Sequence, residues 1–390
     1  MKKRVLFING HLNAGGCERS LVDVLRHFDY TEYQVDLLLL EELGDYFDEI
    51  PAEVDVKLYS LNRAFGPLLK CAVDSIRSRD WFSLWFRFVY LHSRFLGKGC
   101  LKWTKGCFPR LQKRYDAVIA YRPGICTDFA AYIVSADTRI SWWHHGAFTY
   151  SERQAEDVNL AYARMDKIVA VSRSSAEIVK SHFSNARDKV YVIPNMICSE
   201  ELAEKAREED LYDDRDFRGL RLVSVGRMEP EKNMGICVEV GKLLSAEGLS
   251  FRWTLVGDGQ ESQTIHERIE ELGLEDCFCM TGRLKNPYPQ IEAADILVHP
   301  STVESQGLTI LEAMALSKPV IVVESEGPKE FIQSGSNGIL VKNEARAIAD
   351  AIIHIVKDDG LRNKLAAEGK KTAEAFDPVY LVPEIEKLAD

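Results

Sequence analysis

Short apolar runs alternate with amphipathic helical stretches along most of the chain, and this order restricts the fold more than any other feature. A run such as Val35–Leu40 is apolar at nearly every position, which is typical of a strand in a parallel sheet covered on both faces. Because parallel strands need crossover connections, the pattern predicts doubly wound α/β domains. The predicted strands are Val5–Ile8, Val35–Leu40, Ala117–Ala120, Arg139–Trp143, Lys167–Val171 and Val190–Ile193 in a first series, and Arg221–Val225, Phe251–Val256, Phe278–Thr281, Ile296–His299, Val320–Val323 and Gly338–Val341 in a second.

An acidic stretch, SEELAEKAREEDLYDDRD at 199–216, separates the two series of strands. With 390 residues, 46% of them hydrophobic, the chain is long enough for two domains. The acid pair Asp214-x-Asp216 is interpreted as part of a solvated run and not as a metal site. We therefore expect a first Rossmann-like domain over 1–198, an acidic linker over 199–218, a second Rossmann-like domain over 219–372 and a last helix over 373–390.

Two glutamates, Glu304 and Glu312, flank Gly307 in the stretch STVESQGLTILEAMALSKP. Gly307 lets the backbone approach a ligand closely, and the helix predicted to follow it offers free N–H groups and a positive dipole end to a phosphate. Both carboxylates can reach a ligand that lies across the helix start. Carboxylates for a polyol and N–H groups for a phosphate together indicate a nucleotide sugar. The alternative, a buried helix with a capping loop, explains the apolar residues but not the two acids.

Further candidate loops follow predicted strands, where ligands of doubly wound sheets bind. After the first strand of the second series, Arg227 can bind a phosphate with its planar guanidinium, and Lys232 adds a second charge. Together they would neutralise a diphosphate without a metal, although two surface cations in a loop would look the same. The Gly257-Asp258-Gly259 turn permits close backbone approach to a nucleotide, but many such turns carry glycines.

Two motifs of the first series are weaker signals. Gly15 and Gly16 precede a predicted helix, but the third glycine of a dinucleotide fingerprint is missing, so an NAD enzyme is disfavoured. His144 and His145 follow a predicted strand, and neighbouring side chains on an extended backbone point apart, so they make a poor metal pair. One of them could hydrogen-bond a sugar.

The net charge of −11 hides a basic segment. Residues 63–114 contain twelve Lys or Arg, two acids and ten aromatics, a balance of +10. This segment fits either a helix that lies on an anionic membrane or a solvated basic surface over an ordinary core helix, whereas no nucleic-acid motif accompanies the charge. The helical pattern places Trp81, Leu84, Trp85, Phe88 and Phe95 near one face, with Arg87, Arg94 and Lys98 towards the others.

The cellular compartment is predicted from cysteines and hydropathy. Nine cysteines, an odd number without metal spacing, fit a reducing cytosol better than a disulfide framework. The first apolar run, Val5–Ile8, is too short for a signal peptide, and no run is long enough to span a bilayer. We therefore expect a cytoplasmic protein, with peripheral contact at the inner face of the plasma membrane if the basic segment binds lipid.

Taken together, the loops resemble those of the retaining glycosyltransferases of family 4, which have the GT-B fold. That resemblance implies two Rossmann-like domains facing across a cleft, acceptor on the first and donor on the second, with a last helix that crosses back to the first domain. ESQGL recurs among members that build cell-surface polysaccharides. The resembling segments are GGCER at Gly15–Arg19, WHHG at Trp143–Gly146, VSRSSAE at Val171–Glu177, IPNMI at Ile193–Ile197, VGRMEPEKN at Val225–Asn233, GDG at Gly257–Gly259, ESQGLTILEAMALSKPV at Glu304–Val320 and SNGILV at Ser336–Val341.

The same resemblance implies roles for individual residues. Arg227 and Lys232 should hold the donor diphosphate, and Glu312 the nucleotide ribose. His145 fits the spacing of the family's cleft histidine better than His144 does. No metal ion and no cofactor besides the donor are implied. The implied catalytic residues are Glu304, His145, Arg227 and Lys232, and the implied donor contacts are Gly15, Gly16, Asn195, Arg227, Lys232, Gly257, Glu304, Gln306, Gly307, Leu308, Thr309 and Glu312.

The activity that the resemblance implies is transfer of a sugar, with retention, from a nucleotide-diphosphate sugar to a saccharide or lipid-linked saccharide. UDP is the commonest base among relatives. Ser305 and Gln306 stand where many relatives have Phe or a Gly-Phe pair, so the donor sugar cannot be transferred from them. Two other functions stay open, namely a nucleotide-sugar epimerase, which needs no acceptor, and a non-catalytic partner of a transferase, which should have lost some of these residues.

Overall fold

The structure is a computed structural model that describes residues 2–13, 15–41, 44–59, 61, 73, 75–208 and 216–390. The chain divides into two compact units, one formed by Met1–Pro194 with Leu381–Asp390 and the other by Asn195–Tyr380. Parts of two predicted segments lie outside the described residues, namely 63–72 and 74 of the basic segment and 209–215 of the linker, which include Asp214.

The first unit contains a parallel sheet with the strand order β3-β2-β1-β4-β5-β6-β7. The order reverses between β1 and β4, which is the topological switch point of this sheet. All predicted strands of the first series are present, several of them longer than predicted. The strands are β1 Lys3–Asn9, β2 Tyr33–Leu39, β3 Asp55–Leu58, β4 Arg114–Ala120, β5 Ser135–Trp143, β6 Lys167–Ala170 and β7 Val190–Val192.

Strand β3 was not predicted, because its sequence DVKL has only two apolar residues. A buried ion cluster lies at its pairing with β2. The ammonium of Lys57 lies 2.7 Å from a carboxylate oxygen of Asp36 on β2 and 2.7 Å from one of Asp55. Asp36 also accepts a hydrogen bond of 2.7 Å from the hydroxyl of Tyr115 on β4. The lysine charge is therefore buried against Asp36, while its second partner Asp55 is exposed, and apolar periodicity cannot reveal such a strand.

The second unit repeats the plan with the strand order β10-β9-β8-β11-β12-β13, again with parallel pairs. Its switch point lies between β8 and β11. Neighbouring residues such as Leu222 and Val223 pack into two different apolar clusters, so both faces of this sheet are covered. The strands are β8 Leu220–Val225, β9 Phe251–Val256, β10 Phe278–Gly282, β11 Ile296–His299, β12 Val320–Val323 and β13 Ile339–Val341.

Helices connect the strands, and several begin at a polar cap that the sequence supplies. Ser151 and Gln154 form a reciprocal capping box, and Asp80 accepts a hydrogen bond of 3.0 Å from the backbone N–H of Ser83. The described helices are α1 Gly16–His27, α2 Trp81–Leu96, α3 Ile125–Asp128, α4 Glu152–Tyr162, α5 Arg173–His182, α6 Ser199–Lys205, α7 Ile236–Ala246, α8 Ser262–Glu271, α9 Tyr288–Ala293, α10 Leu308–Ala315, α11 Ala345–Lys357, α12 Asp359–Glu374 and α13 Pro378–Ala389.

Two segments next to the unit boundaries show how the chain is divided between the units. Helix α6, within the predicted linker, packs Leu202 and Ala206 into an apolar cluster of the second unit. The last ten residues, Leu381–Asp390, belong to the first unit, where Asp390 lies 2.6 Å from the ammonium of Lys3. The last residues of the chain thus complete the unit that begins with β1.

Helix α2 exposes the apolar face that the sequence singled out. Trp81, Trp85, Phe88 and Phe95 are exposed, whereas the opposite face, with Phe86 and Val89, packs into the core of the first unit. None of the described helices is both long enough and apolar enough to cross a membrane. The eight described cysteines are free thiols.

Candidate functional site

Two loops of the second unit meet at its switch point. The first follows β8 and carries the predicted residues Arg227 and Lys232, and the second follows β11 and carries Glu304. Backbone and side-chain bonds hold them together, because the carbonyl oxygen of Glu231 accepts the N–H of Thr302 at 3.0 Å and the hydroxyl of Ser301 at 3.2 Å. The predicted diphosphate loop and the predicted glutamate loop therefore form one structure.

Glu304 is the centre of a buried charged cluster. Its Oε1 lies 2.5 Å from the ammonium of Lys232 and 2.9 Å from Nε2 of His299, the last residue of β11. Burial alone would raise the pKa of Glu304, but the hydrogen bond and charge of His299, together with Lys232, outweigh burial and hold the pKa at about 2. Glu304 is thus ionised at neutral pH and cannot serve as a proton donor there.

Arg227 lies in the same loop but faces solvent. Its side chain is 68% exposed and forms an ion pair of 3.2 Å with Glu231. An exposed pair of this kind contributes little stability, so the guanidinium can exchange Glu231 for a phosphate at small cost. Lys232, in contrast, is 20% exposed and already paired with Glu304. The two predicted phosphate-binding cations therefore differ in what they must release.

Helix α10 begins at Gly307, whose φ of +89° is the left-handed conformation that favours glycine. A Cβ at this position would lie 2.7 Å from the terminal methyl group of Ile310, which would have to shift to make room. Leu308 and Thr309, predicted as donor contacts, form the half-buried first turn of this helix. Free N–H groups thus lie where the sequence predicted them.

Glu312 is buried inside α10 and accepts a hydrogen bond of 3.0 Å from the hydroxyl of Tyr288, which lies at the start of α9. Tyr288 is itself buried and packs with Ile310 and Leu311 in one apolar cluster. The phenol therefore fixes the orientation of the carboxylate that the family resemblance assigns to the ribose. No local sequence pattern indicates Tyr288, because it lies 24 positions from its partner.

The side chain of Gln306 has a different environment from the one expected of a donor contact. Its amide group pairs with the backbone of Asn195 on both sides, accepting from the N–H at 2.7 Å and donating to the carbonyl at 3.0 Å. Gln306 is buried, and Asn195 is the first residue of the second unit. Gln306 thus joins the glutamate loop to the point where the chain enters this unit.

The structure also explains why position 257 is a glycine, which the sequence alone did not show. With φ at +141°, a Cβ here would lie 1.8 Å from the carbonyl oxygen of Gly226. The N–H of Met228 donates to the carbonyl of Asp258 at 3.0 Å, so the turn after β9 packs directly on the Arg227 loop. The backbone that approaches Gly257 in the described structure is that of the neighbouring loop.

In the first unit, the predicted residues lie at the carboxyl ends of β1 and β5. Gly15 caps α1 and Gly16 is its first residue, close to the buried Glu18. Glu18 pairs with Arg122 at 3.1 Å, and the guanidinium of Arg122 lies 3.0 Å from His11 Nε2. Glu18, Arg122 and His11 were not predicted, although each follows or neighbours a strand end at the switch point.

The two adjacent histidines have different surroundings. The backbone carbonyl of His145 accepts hydrogen bonds from Trp143 Nε1 at 3.0 Å and from the hydroxyl of Ser175 at 3.1 Å, which fixes the turn. Partial burial and then the charge of Arg122 lower the pKa of His145. Burial, followed by His145 and Arg122, lowers the pKa of His144 to about 3, and its buried Nε2 has no hydrogen-bond partner among the described residues. His144 is therefore neutral at physiological pH, and its Nε2 is enclosed by the protein.

Two family descriptions match the chain in succession, "Glycosyltransferase Family 4" over residues 14–201 and "Glycosyl transferases group 1" over residues 216–372. EpsD of Bacillus subtilis is 31% identical over 183 residues, 47% of this chain and 47% of that protein. The lipopolysaccharide core biosynthesis glycosyltransferase LpsE of Rhizobium meliloti is 34% identical over 167 residues, 41% of this chain and 48% of that protein. The chain thus spans about half the length of these curated relatives.

Solved structures match over the full chain. Anabaena HepE in complex with UDP has a TM-score of 0.71 at 19% identity, covering 99% of each chain. A Staphylococcus aureus TarM variant in complex with fondaparinux, α-GlcNAc-glycerol and UDP has a TM-score of 0.73 at 14% identity, covering 100% of each. The predicted GT-B fold class is confirmed by these likenesses. With both halves matched in order and the fold shared, the chain belongs to the family 4 glycosyltransferases.

Proposed function

We propose that this protein is a retaining glycosyltransferase that moves a sugar from a UDP-sugar to a saccharide or lipid-linked saccharide, without a metal ion. The observation that carries the proposal is the cluster at the switch point of the second unit, where Arg227, Lys232 and Glu304 share two joined loops. The sugar and UDP ligands of the solved relatives support the substrate class. The relative named for lipopolysaccharide core biosynthesis supports a cell-surface saccharide as acceptor.

The charges of this cluster suit departure of a nucleoside diphosphate. Negative charge grows on the leaving phosphate oxygens, and fixed cations there lower the barrier. We propose that the donor phosphate draws Lys232 from Glu304 and Arg227 from Glu231. The ammonium of Lys232 and the guanidinium of Arg227 would then neutralise the diphosphate, the task that a metal ion performs in other transferases. The ionised Glu304 then lies beside the positive charge that develops at the anomeric carbon. Retention follows if the acceptor hydroxyl attacks the anomeric carbon on the face that the diphosphate leaves and passes its proton to a departing phosphate oxygen.

The proposed roles of the remaining residues follow from their positions. Gly307, Leu308 and Thr309 offer the N–H groups of α10 to phosphate, and Glu312 binds the ribose. Gln306 and Gly257 support these loops through Asn195 and Gly226. In the first unit, Gly15 and Gly16 permit phosphate approach, and His145 or His144 binds the sugar.

The test is turnover of a panel of UDP- and GDP-sugars, with and without saccharide acceptors, in the presence of EDTA. We expect acceptor-dependent UDP release and an α- or β-linked product whose anomeric configuration, read by NMR, equals that of the donor. Arg227→Ala should lower kcat/KM about 100- to 1,000-fold, the usual loss for one transition-state contact. Lys242→Ala, which removes an exposed cation of α7, is the matched control and should leave turnover unchanged.

Three outcomes would contradict the proposal. Near-normal turnover of Arg227→Ala would show that Arg227 does not contact the leaving group in the transition state. Loss of all activity in EDTA, restored by a divalent cation, would show that the reaction needs a metal ion. Conversion of the UDP-sugar to an epimer without acceptor would favour an epimerase instead.

The proposal includes peripheral contact with an anionic membrane, in the cytoplasm at the inner face of the plasma membrane. Its support is helix α2, which presents Trp81, Trp85, Phe88 and Phe95 to solvent within a segment of +10 charge. Apolar aromatic side chains flanked by basic residues partition into the interface of a bilayer with anionic lipids. A lipid-linked acceptor would then meet the enzyme at that surface.

A further inference from the structure

A cavity of about 430 Å³ lies in the first unit, away from every residue assigned above. Its walls come from the 3₁₀ segment Lys98–Cys107, the π-helical turn Phe129–Ile133, the first half of β5 and the loop before β6. The volume is within the range of small-molecule sites, roughly 300–1,000 Å³. None of the assigned donor or acceptor residues contributes to its lining.

The lining of this cavity contains no acid. It contains four cations, namely Lys102, Lys105, Arg139 and Arg164. None of the four forms an ion pair with a carboxylate of the described residues. Three acids lie near the lining: Asp128 pairs with Lys98 at 2.5 Å, Asp137 pairs with Arg114 and also feels the charge of Arg139, and Asp166 accepts a hydrogen bond of 2.8 Å from the backbone N–H of Arg139. The cavity therefore concentrates positive charge without an internal counterion, which suits an anionic group.

One of the two guanidinium groups is held by a hydrogen bond, and the other lies over an aromatic ring. Arg139 donates from Nε to the carbonyl oxygen of Ala130 at 3.1 Å, and Arg164 lies 4.7 Å from the centre of the Tyr132 ring. Planar guanidinium groups held in this way bind phosphate oxygens in pairs. Lys102 and Lys105 are exposed, and Lys105 donates a long hydrogen bond of 3.5 Å to the hydroxyl of Ser135. The lysines can therefore close over a bound phosphate.

The position of the cavity separates it from the reaction site. Val134 immediately precedes β5, and Arg164 lies three residues before β6, so the cavity is at the amino ends of these strands. Substrates of doubly wound sheets bind at the carboxyl ends, where His144 and His145 follow β5. The cavity thus requires a ligand other than the donor or the reacting end of the acceptor.

The rim of the cavity indicates where that ligand resides. Leu96 and Trp103 line it and are 61% and 54% exposed. They continue the exposed apolar face of α2, whose last turn contains Phe95 with 85% of its surface exposed. An aqueous ligand would not need an apolar rim, whereas a phospholipid headgroup lies immediately beside acyl chains.

We propose that this cavity binds the headgroup phosphate of a net-anionic phospholipid while the exposed face of α2 lies in the bilayer interface. The inference rests on the membrane contact included in the proposed function, and it adds a defined lipid site to that contact. Lys102, Lys105, Arg139 and Arg164 bind the phosphate, and Trp103 and Leu96 lie against the first carbons of the chains. The site anchors the first unit without taking part in sugar transfer.

The test compares two double variants that remove the same charge from the same segment. Lys102→Gln/Lys105→Gln removes the two lysines that line the cavity. Arg110→Gln/Lys113→Gln removes two exposed cations outside it. Binding of the full chain to phosphatidylglycerol vesicles and to phosphatidylcholine vesicles is measured by co-sedimentation. We expect the cavity variant to bind phosphatidylglycerol vesicles at least tenfold more weakly than the control variant, with both retaining wild-type melting temperature and turnover of the UDP-sugar.

A second arm tests the source of the phosphate. Glycerol 3-phosphate at millimolar concentration should neither change Trp103 fluorescence nor displace the protein from vesicles, and Trp103→Phe identifies that signal. Equal binding by the two double variants would overturn the lipid site while leaving sugar transfer standing. Tight binding of glycerol 3-phosphate, or wild-type protein that ignores phosphatidylglycerol, would overturn it as well. If wild-type protein binds vesicles but turns over no UDP-sugar, only the proposed function would be contradicted.

Discussion

At the scale of single residues, the two buried glutamates of the second unit are prepared for different tasks. Glu304 is paired with a lysine and a histidine, which keeps it charged, whereas Glu312 accepts from the neutral hydroxyl of Tyr288. A ligand with phosphate can compete with Glu304 for Lys232, whereas at Glu312 a ribose hydroxyl would join the hydroxyl of Tyr288 as a hydrogen-bond donor. The partners thus decide which carboxylate responds to the donor's charge and which reads its hydroxyl groups.

Tyr288→Phe tests the role of Glu312 in donor binding. The substitution keeps the buried ring but removes the hydroxyl that orients the carboxylate, so the donor KM should rise about 5- to 20-fold, roughly 1–2 kcal/mol, with a smaller change in kcat. Tyr191→Phe, on an exposed tyrosine of the first unit, is the control and should behave as wild type. Steady-state kinetics with varied UDP-sugar separate the two constants. A fall in kcat at unchanged KM would show that Tyr288 does not act through ground-state donor binding.

The residues that could be predicted from sequence are those whose loops follow strands. Glu304 and Glu312 carry a local signal because two acids flank Gly307 after a strand end, whereas Arg227 and Lys232 look the same as a solvated surface loop until the family resemblance is added. Their partners His299 and Tyr288 act through space, from another strand end and another helix, so only the fold brings them into contact. Gln306 was assigned to the donor through the backbone N–H groups around it, and the bonding of its side-chain amide to the Asn195 backbone, 111 positions away in the chain, has no local sequence signal.

At the scale of elements, α2 shows why periodicity alone could not choose between core and membrane. The helix is apolar on both sides, with Phe86 and Val89 buried and Trp85 and Phe88 exposed. A hydrophobic pattern identifies faces but not which face the protein covers. The strand β3 was missed for the opposite reason, since its lysine and aspartate are satisfied by a buried ion cluster.

Removing the exposed aromatics of α2 tests its contact with lipid. Trp85→Ser/Phe88→Ser should weaken binding to phosphatidylglycerol vesicles about tenfold or more, because each side chain loses on the order of 1–2 kcal/mol of apolar burial in the interface. Leu160→Ser, at an exposed leucine of α4, is the control and should bind like wild type. Co-sedimentation measures the binding, and circular dichroism checks that α2 remains folded. Unchanged binding of the double variant would show that this face does not enter the membrane.

At the scale of the whole molecule, the two parallel sheets could be predicted from the alternation of apolar runs and helical stretches, because a covered parallel sheet needs apolar strands and helical crossovers. The division of the chain between the two units could not be predicted from that alternation. Helix α6 was expected in a linker on the strength of its acids, yet its buried Leu202 and Ala206 pack with the second unit. Surface charge therefore concealed a half-buried helix.

Ile385→Ala tests the contribution of the last ten residues to the first unit. Ile385 is 1% exposed, and truncating such a side chain costs about 2–5 kcal/mol. We expect faster amide hydrogen exchange in β1 and β2 with unchanged protection of β8 and β9. Glu384→Ala, one position earlier and exposed, should change neither. Equal loss of protection in both sheets would mean that the two units do not unfold separately.

The return of Leu381–Asp390 to the first unit has a consequence for how a ribosome delivers this protein. Residues through Pro194 emerge first. The apolar surface that later packs against Val382, Ile385 and Leu388 stays uncovered until those residues are synthesised. At about 5–20 residues per second, the wait lasts roughly 10–40 s. During that interval the nascent chain displays an apolar surface next to β1 and β2, and the second unit can finish folding before the first one does.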